Sequence, residues 1–352
     1  MRKRIGYIDV LRILACLAVI YNHASGFFLF GEQEPGGLLY RLELCLSISC
    51  KFAVPVFFAI SGALMLNREM ALGKRFLFRV AKMVLTLAVF SVLSYMAEVL
   101  QGRAALDVKA MLFRLYEDNL NFSYWYLYAY LAFLMIAPLL GVMVRGLKNR
   151  ELCYMLALGF IARFALPAFE TWRWAGAHRL NPDLSLVCIS CDMVLYPTLG
   201  YFLHHRLSVK DCRRYAPALI LGAALGVWIC MEMTLQAYYR TWVPKVEPVT
   251  ELAAPLLGAA VFASARALLG EWEPDGKLSR LLAYAGGLTF GIYLIHVPVL
   301  HSDAMIAVMG AIRAVLPQAM MCVSLIEVLL TFGVCALIAM ALKRIPGIRS
   351  LL

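Results

Sequence analysis

Apolar residues in this chain come in runs of about twenty, broken by short stretches where arginine, lysine, glycine and proline collect. A run of roughly twenty such residues makes a helix that crosses a bilayer core, about 30 Å thick. The pattern predicts ten spans, at roughly 8–30, 44–66, 80–100, 122–144, 151–169, 185–204, 215–235, 249–269, 280–301 and 320–342, with ends good to a few residues. The fold class expected is an all-α polytopic membrane protein, one bundle of about ten transmembrane helices over residues 1–352. No loop exceeds roughly twenty residues, so no soluble catalytic domain is expected and any chemistry belongs to the bundle.

Composition supports the same class. Of 352 residues 62% are hydrophobic and 16% are charged, with a mean hydropathy of +0.77, too little charge to cover a soluble domain of this length. The opening MRKR resembles the start of a secretory signal, but Asp9 and Arg12 interrupt the apolar region behind it. The segment is therefore expected to stay as the first membrane helix.

The net charge of +11 follows from topology. With the N-terminus inside, inner segments carry 20 basic residues and outer segments 9, while Arg12, Lys51, Lys82 and Arg163 lie within spans. This bias predicts a multi-pass protein of the cell membrane with both termini cytoplasmic. No basic stripe in a soluble segment suits nucleic acid.

The polar residues inside spans carry the chemical question. A charged side chain at mid-membrane costs about 2.5–3.5 kcal/mol even on lenient insertion scales. The first span holds Asp9, Arg12, Asn22 and His23. Eleven residues separate Arg12 from His23, so on a helix they point within ~20° of each other and lie roughly 16 Å apart along the axis. Asp9 falls on the same side. Asp9 and Arg12 form either an ion pair at the inner interface or part of a functional stripe. His23 is either a hydrogen-bonded partner between helices or a chemical group. His296 in the ninth span has a depth like that of His23, and Lys51, Arg163, Asp192 and Glu327 lie near the middle or outer half of theirs. Lys51 and Asp192 are one candidate pair. Together these residues suggest a polar chamber, and a wet passage reaching both faces is expected.

Other features read more plainly. Cys188 and Cys191 have CxxC spacing inside the sixth span, with no second pair of ligands, so no metal site is expected. Gly62, Gly286, Gly287 and Gly291 suit close helix packing. Trp125, Tyr126 and Tyr128 suit a membrane interface.

Taken in order, four stretches resemble the acyltransferase-3 family of integral membrane acyltransferases: YIDVLRILACLAVIYNH with its R-x10-H at Arg12 and His23, VPVFFAISGALML, WYLYAYLAFLMIAPLL, and GIYLIHVP around His296. One departure stands out. Where the family often carries two arginines three apart and a nearby proline, this chain has Arg79 and Lys82 with no proline, and lysine lacks the planar fork that holds phosphate in bidentate fashion.

The resemblance implies transfer of an acyl group, typically acetyl, from cytoplasmic acyl-CoA to a hydroxyl of an extracytoplasmic glycan or lipid-linked sugar. The expected partners are that donor, that acceptor and membrane lipid, with acyl-CoA as co-substrate and no tightly bound cofactor. Lys74, Arg75, Arg79 and Lys82 would hold the donor phosphates. His23 would act as general base or carry an acyl-histidine intermediate, Arg12 would orient the donor or stabilise charge, and His296 would assist or bind the acceptor. The alternative from another class is a transporter or flippase for a lipid-linked glycan, which would use the same chamber without bond making. A structural scaffold is the blandest reading.

Overall fold

The computed structural model describes residues 5–24, 36–184, 186–241, 247–272, 276–316 and 319–352, and no strand occurs among them. Helix α1 is Gly6–His23; residues 25–30 of the first expected span lie outside the described residues. The second expected span is two helices, α2 (Leu38–Cys50) and α3 (Ala53–Met65), which meet at Lys51 and Phe52. Next come α4 (Lys74–Leu100), the amphipathic α5 (Val108–Glu117), a tight turn over Phe122–Tyr124, and α6 (Trp125–Gly146). Helix α7 (Asn149–Phe160) passes through a wide turn at Ile161–Ala165, with i to i+5 bonding, into α8 (Leu166–Trp174).

The second half of the chain follows the same plan. After the short α9 (Val187–Ser190), α10 (Asp192–Tyr201) continues in a second wide turn, Phe202–Arg206. Then follow α11 (Val209–Thr241), α12 (Glu247–Glu251), α13 (Ala254–Leu269) and α14 (Gly276–Leu300). The last helices are α15 (Asp303–Val315), α16 (Met320–Leu342) and α17 (Pro346–Arg349).

Nine helical stretches among the described residues are long and apolar enough to cross a membrane, which makes the chain a multi-pass membrane protein. The sixth expected span, 185–204, is the one that falls short. Its backbone is extended at Cys191, and the helix from Asp192 to Arg206 that follows is only about 22 Å long at 1.5 Å per residue. The element is nevertheless central, because α10 packs along α3.

Two glycines set that contact. A Cβ on Gly62 would come within 1.9 Å of the Pro197 carbonyl oxygen, and one on Gly200 within 1.9 Å of that of Ala59. Backbone therefore lies against backbone. Such close approach matters in a membrane, where lipid is as apolar as leucine and packing does the work that water does elsewhere. Around this crossing Val56, Phe58, Leu11, Phe133 and Phe262 are wholly buried. Leu139, Leu221, Leu329 and Leu337 are exposed on the outer surface of the spans, the surface hydrocarbon covers. Helix α1 packs between α14 and α3, which puts its polar stripe inside the bundle.

Arginines tie the helix ends at one face. Arg145 Nη1 donates to the Leu66 and Arg68 carbonyls at 2.7 and 2.9 Å. Arg206 Nη2 reaches the carbonyls of Val144, Arg145 and Leu147 at 3.2, 3.2 and 2.9 Å, satisfying acceptors that the end of α6 leaves open.

Candidate active site

A cavity of about 900 Å³ opens between α1, α3, α4, α6 and α14. Its polar lining includes Asp9, Arg12, Ser61, Arg68, Arg79, Lys82, Thr86, Tyr126, Tyr130, Thr289 and Tyr293. Four cations against one carboxylate make it an anion-attracting space. Arg79 and Lys82 are exposed on one face of α4, one turn apart. Of the donor-binding residues expected from sequence, these two line the cavity, while Lys74 and Arg75 do not. Arg68 joins them without any signal in the sequence. Its turn is tied by Arg145, which donates to the Leu66 and Arg68 carbonyls.

Asp9 and Arg12 meet at 3.2 Å, and Asp9 is 2% exposed while the Arg12 side chain is 30% exposed. Gly286 on α14 makes room for the carboxylate, since a Cβ there would lie 2.9 Å from Asp9 Oδ1. The absent side chain thus places Asp9, and Asp9 holds the guanidinium at the cavity wall.

Three turns further along α1, the second group is formed. His23 Nδ1 lies 2.8 Å from His296 Nε2, with the two rings stacked at 5.1 Å. His296 Nδ1 lies 2.6 Å from the Tyr293 carbonyl, which can only accept. In the neutral pair the proton of His296 is therefore on Nδ1, its Nε2 accepts from His23 Nδ1, and the basic nitrogen of His23 is Nε2. His296 is completely buried. On its other side the His23 ring meets Phe122 edge-on at 5.1 Å, and Phe122 is exposed and 6.0 Å from the His301 ring.

The expected chamber resolves into separate groups. Arg163, on the wide turn between α7 and α8, is 3.4 Å from Asp192 and 3.7 Å from Glu251; Lys51 is 3.8 Å from the same Glu251. Lys51 is thus joined to Asp192 through Glu251 and Arg163. Glu327 lies 3.7 Å from Arg313. Neither these residues nor His23 and His296 line the cavity.

The cavity is not by itself the open passage expected from sequence, for neither His23 nor His296 lines it. Between Arg12 and His23, α1 buries Ala15, Cys16, Val19 and Ile20. Tyr126 and Tyr293, whose rings are 5.5 Å apart, line the cavity.

The arrangement separates two chemical capacities: a basic pocket suited to a phosphate-rich ligand, and a hydrogen-bonded imidazole pair with a defined acceptor nitrogen. Among the described residues no group of three or more His, Cys, Asp or Glu side chains is placed to share a metal ion. No curated protein and no solved structure matches the chain. A family model described as an acyltransferase domain does match, over residues 5–342, and the chain therefore belongs to the acyltransferase-3 family of membrane acyltransferases.

Proposed function

We propose that the protein moves an acyl group, acetyl in the simplest case, from cytoplasmic acyl-CoA to a hydroxyl of an extracytoplasmic glycan or lipid-linked sugar in the cell membrane. The observation that carries the reading is the pairing of a cavity lined by Arg12, Arg68, Arg79 and Lys82 with the bonded His23–His296 pair deeper along the same helix. A CoA moiety is polyanionic and cannot cross hydrocarbon, so a cationic pocket at the inner face suits it.

In this reading His23 Nε2 takes the proton of the acceptor hydroxyl as its oxygen attacks the thioester carbonyl carbon. The carbon–sulfur bond breaks, the sulfur leaves with the electron pair, and the proton returns from His23 to the thiolate. His296 holds the His23 ring in the productive tautomer, as the third member of a catalytic triad does. Arg12, fixed by Asp9, holds the donor at the cavity end. Both termini lie in the cytoplasm.

The test is reconstitution in vesicles with radiolabelled acetyl-CoA and lipid-linked glycans extracted from the producing cell. Label is expected on a glycan, and to vanish with His23→Ala in a protein that still inserts. Transfer retained in that variant would overturn the role of His23. Movement of unmodified glycan without acetyl-CoA would overturn the transfer reading.

A further inference from the structure

The basic cavity and the histidine pair share one side chain. Tyr293 lines the cavity; its ring lies 5.5 Å from Tyr126 on that side and 5.5 Å from the His296 ring on the other. Its carbonyl accepts from His296 Nδ1 at 2.6 Å. Its hydroxyl donates to the Ser123 carbonyl, in the turn that also carries Phe122 against His23. The same turn sends a bond back, from the Tyr124 hydroxyl to the Leu294 carbonyl at 2.5 Å.

The turn itself is stiff. The Asn121 side chain accepts from the Ser123 amide at 3.0 Å and hydroxyl at 2.8 Å, and donates to Ser94 at 2.9 Å. Tyr293, 6% exposed, thus neighbours both the cavity and the histidine pair, and its hydroxyl is held by the turn that carries Phe122 against His23.

We propose that Tyr293 is the partition of the acyl path: its ring closes the inner end of the donor cavity, its bond to Ser123 holds it closed, and the acyl group reaches the histidine pair through the space the ring vacates. The proposal rests on the acyl-transfer reading and adds to it a positioning residue that makes no bond to the substrate. The step is a side-chain rotation that exchanges one hydrogen bond, with no covalent change in the tyrosine. Its purpose is chemical. A thioester beside an activated imidazole with water present is hydrolysed, and a closed ring keeps the two apart until transfer.

The test uses the full chain in sealed vesicles with His23→Cys as a reporter. A membrane-impermeant methanethiosulfonate is added only on the face that carries Arg68 and Arg79. Modification of residue 23 is read by peptide mass spectrometry, which separates it from the native cysteines. With Tyr293 in place, labelling is expected to be slow. Tyr293→Ala is expected to speed it about tenfold or more, since access controls thiol exchange, and Tyr293→Phe, which keeps the ring but removes the latch, should raise it measurably.

Equal rates in all three proteins would overturn the proposal. So would a matching rise at the buried Cys212, because that would mean general loosening. Should Tyr293→Ala fail to fold, Tyr293→Phe decides alone. With His23 restored, Tyr293→Ala should also release CoA from acetyl-CoA without an acceptor. Faster labelling with no such release supports the partition and overturns the catalytic reading of His23, so the two ideas fail separately.

Discussion

A Cβ on Gly286 would stand 2.9 Å from Asp9 Oδ1, so the position of the buried carboxylate that holds Arg12 is set by a hydrogen atom on the neighbouring helix. Gly286→Ala is expected to push Asp9 away and loosen the guanidinium, with a stability loss of about 1–3 kcal/mol from overpacking. The protein should still insert, and the KM for acyl-CoA should rise. Steady-state kinetics with acetyl-CoA checks this. An unchanged KM would separate Arg12 from donor binding.

His296→Ala removes the acceptor of the His23 Nδ1 proton. Because His296 does not line the cavity, the KM for acyl-CoA should stay the same. The kcat should fall by about 10²-fold or more, the scale of a misplaced general base. His296→Gln, which keeps a polar group at the site, should lose less. Measuring kcat and KM separately in both variants decides the matter.

Arg79→Ala and Lys82→Ala should each raise the KM for acyl-CoA several-fold, while Lys74→Ala and Arg75→Ala, outside the cavity, should act weakly. The effects should shrink as salt rises, because exposed charges are screened beyond about 8–10 Å. Lys82→Arg is expected to lower the KM, since a guanidinium meets phosphate with two parallel bonds. Titration with acetyl-CoA at two ionic strengths tests all five proteins.

Gly62→Ala and Gly200→Ala bring a methyl within 1.9 Å of a carbonyl oxygen on the facing helix. Neither backbone can give way cheaply, so both variants should fail to accumulate as folded protein. Gly333→Ala, whose new atom meets nothing within 4 Å, should fold normally. Yield and protease resistance of the purified chains provide the comparison.

The fold class and part of the candidate site are legible in the amino-acid pattern. Runs of about twenty apolar residues mark the spans, and helical geometry puts Asp9 beside Arg12 and gives His23 and His296 a common depth. Other features carry no local signal. The break at Lys51–Phe52 lies inside one predicted span, and the extended backbone at Cys191 lies inside another. Glu251 sits near the end of a predicted span, where a carboxylate passes as interfacial, so nothing local marks its bridging of Lys51 and Arg163. Arg68 reads as an ordinary basic loop residue, and its place in the cavity lining, on a turn that Arg145 ties, shows only in the fold. Periodicity gives the direction of Arg12 and His23 but says nothing of where the cavity beside Arg12 stops, nor that Ala15, Cys16, Val19 and Ile20 are buried between the two. Tyr293 belongs to the GIYLIHVP stretch that carries the family resemblance, but nothing in that stretch marks its ring as neighbour to both the cavity and His296.

The backbone contact of Gly62 with Pro197 and of Gly200 with Ala59 also fixes which wall of the cavity is able to move. With no side chains between them to slide or repack, α3 and α10 act as a single strut, and α3 carries Phe57 and Ser61 of the lining. Across the cavity α4, with Arg79 and Lys82, has only 28% of its most apolar stretch buried inside the protein. In the proposed reading, breathing of the pocket around an incoming donor belongs to α4, the wall least buried in protein, so the composition and thickness of the surrounding bilayer become part of how easily the donor is admitted.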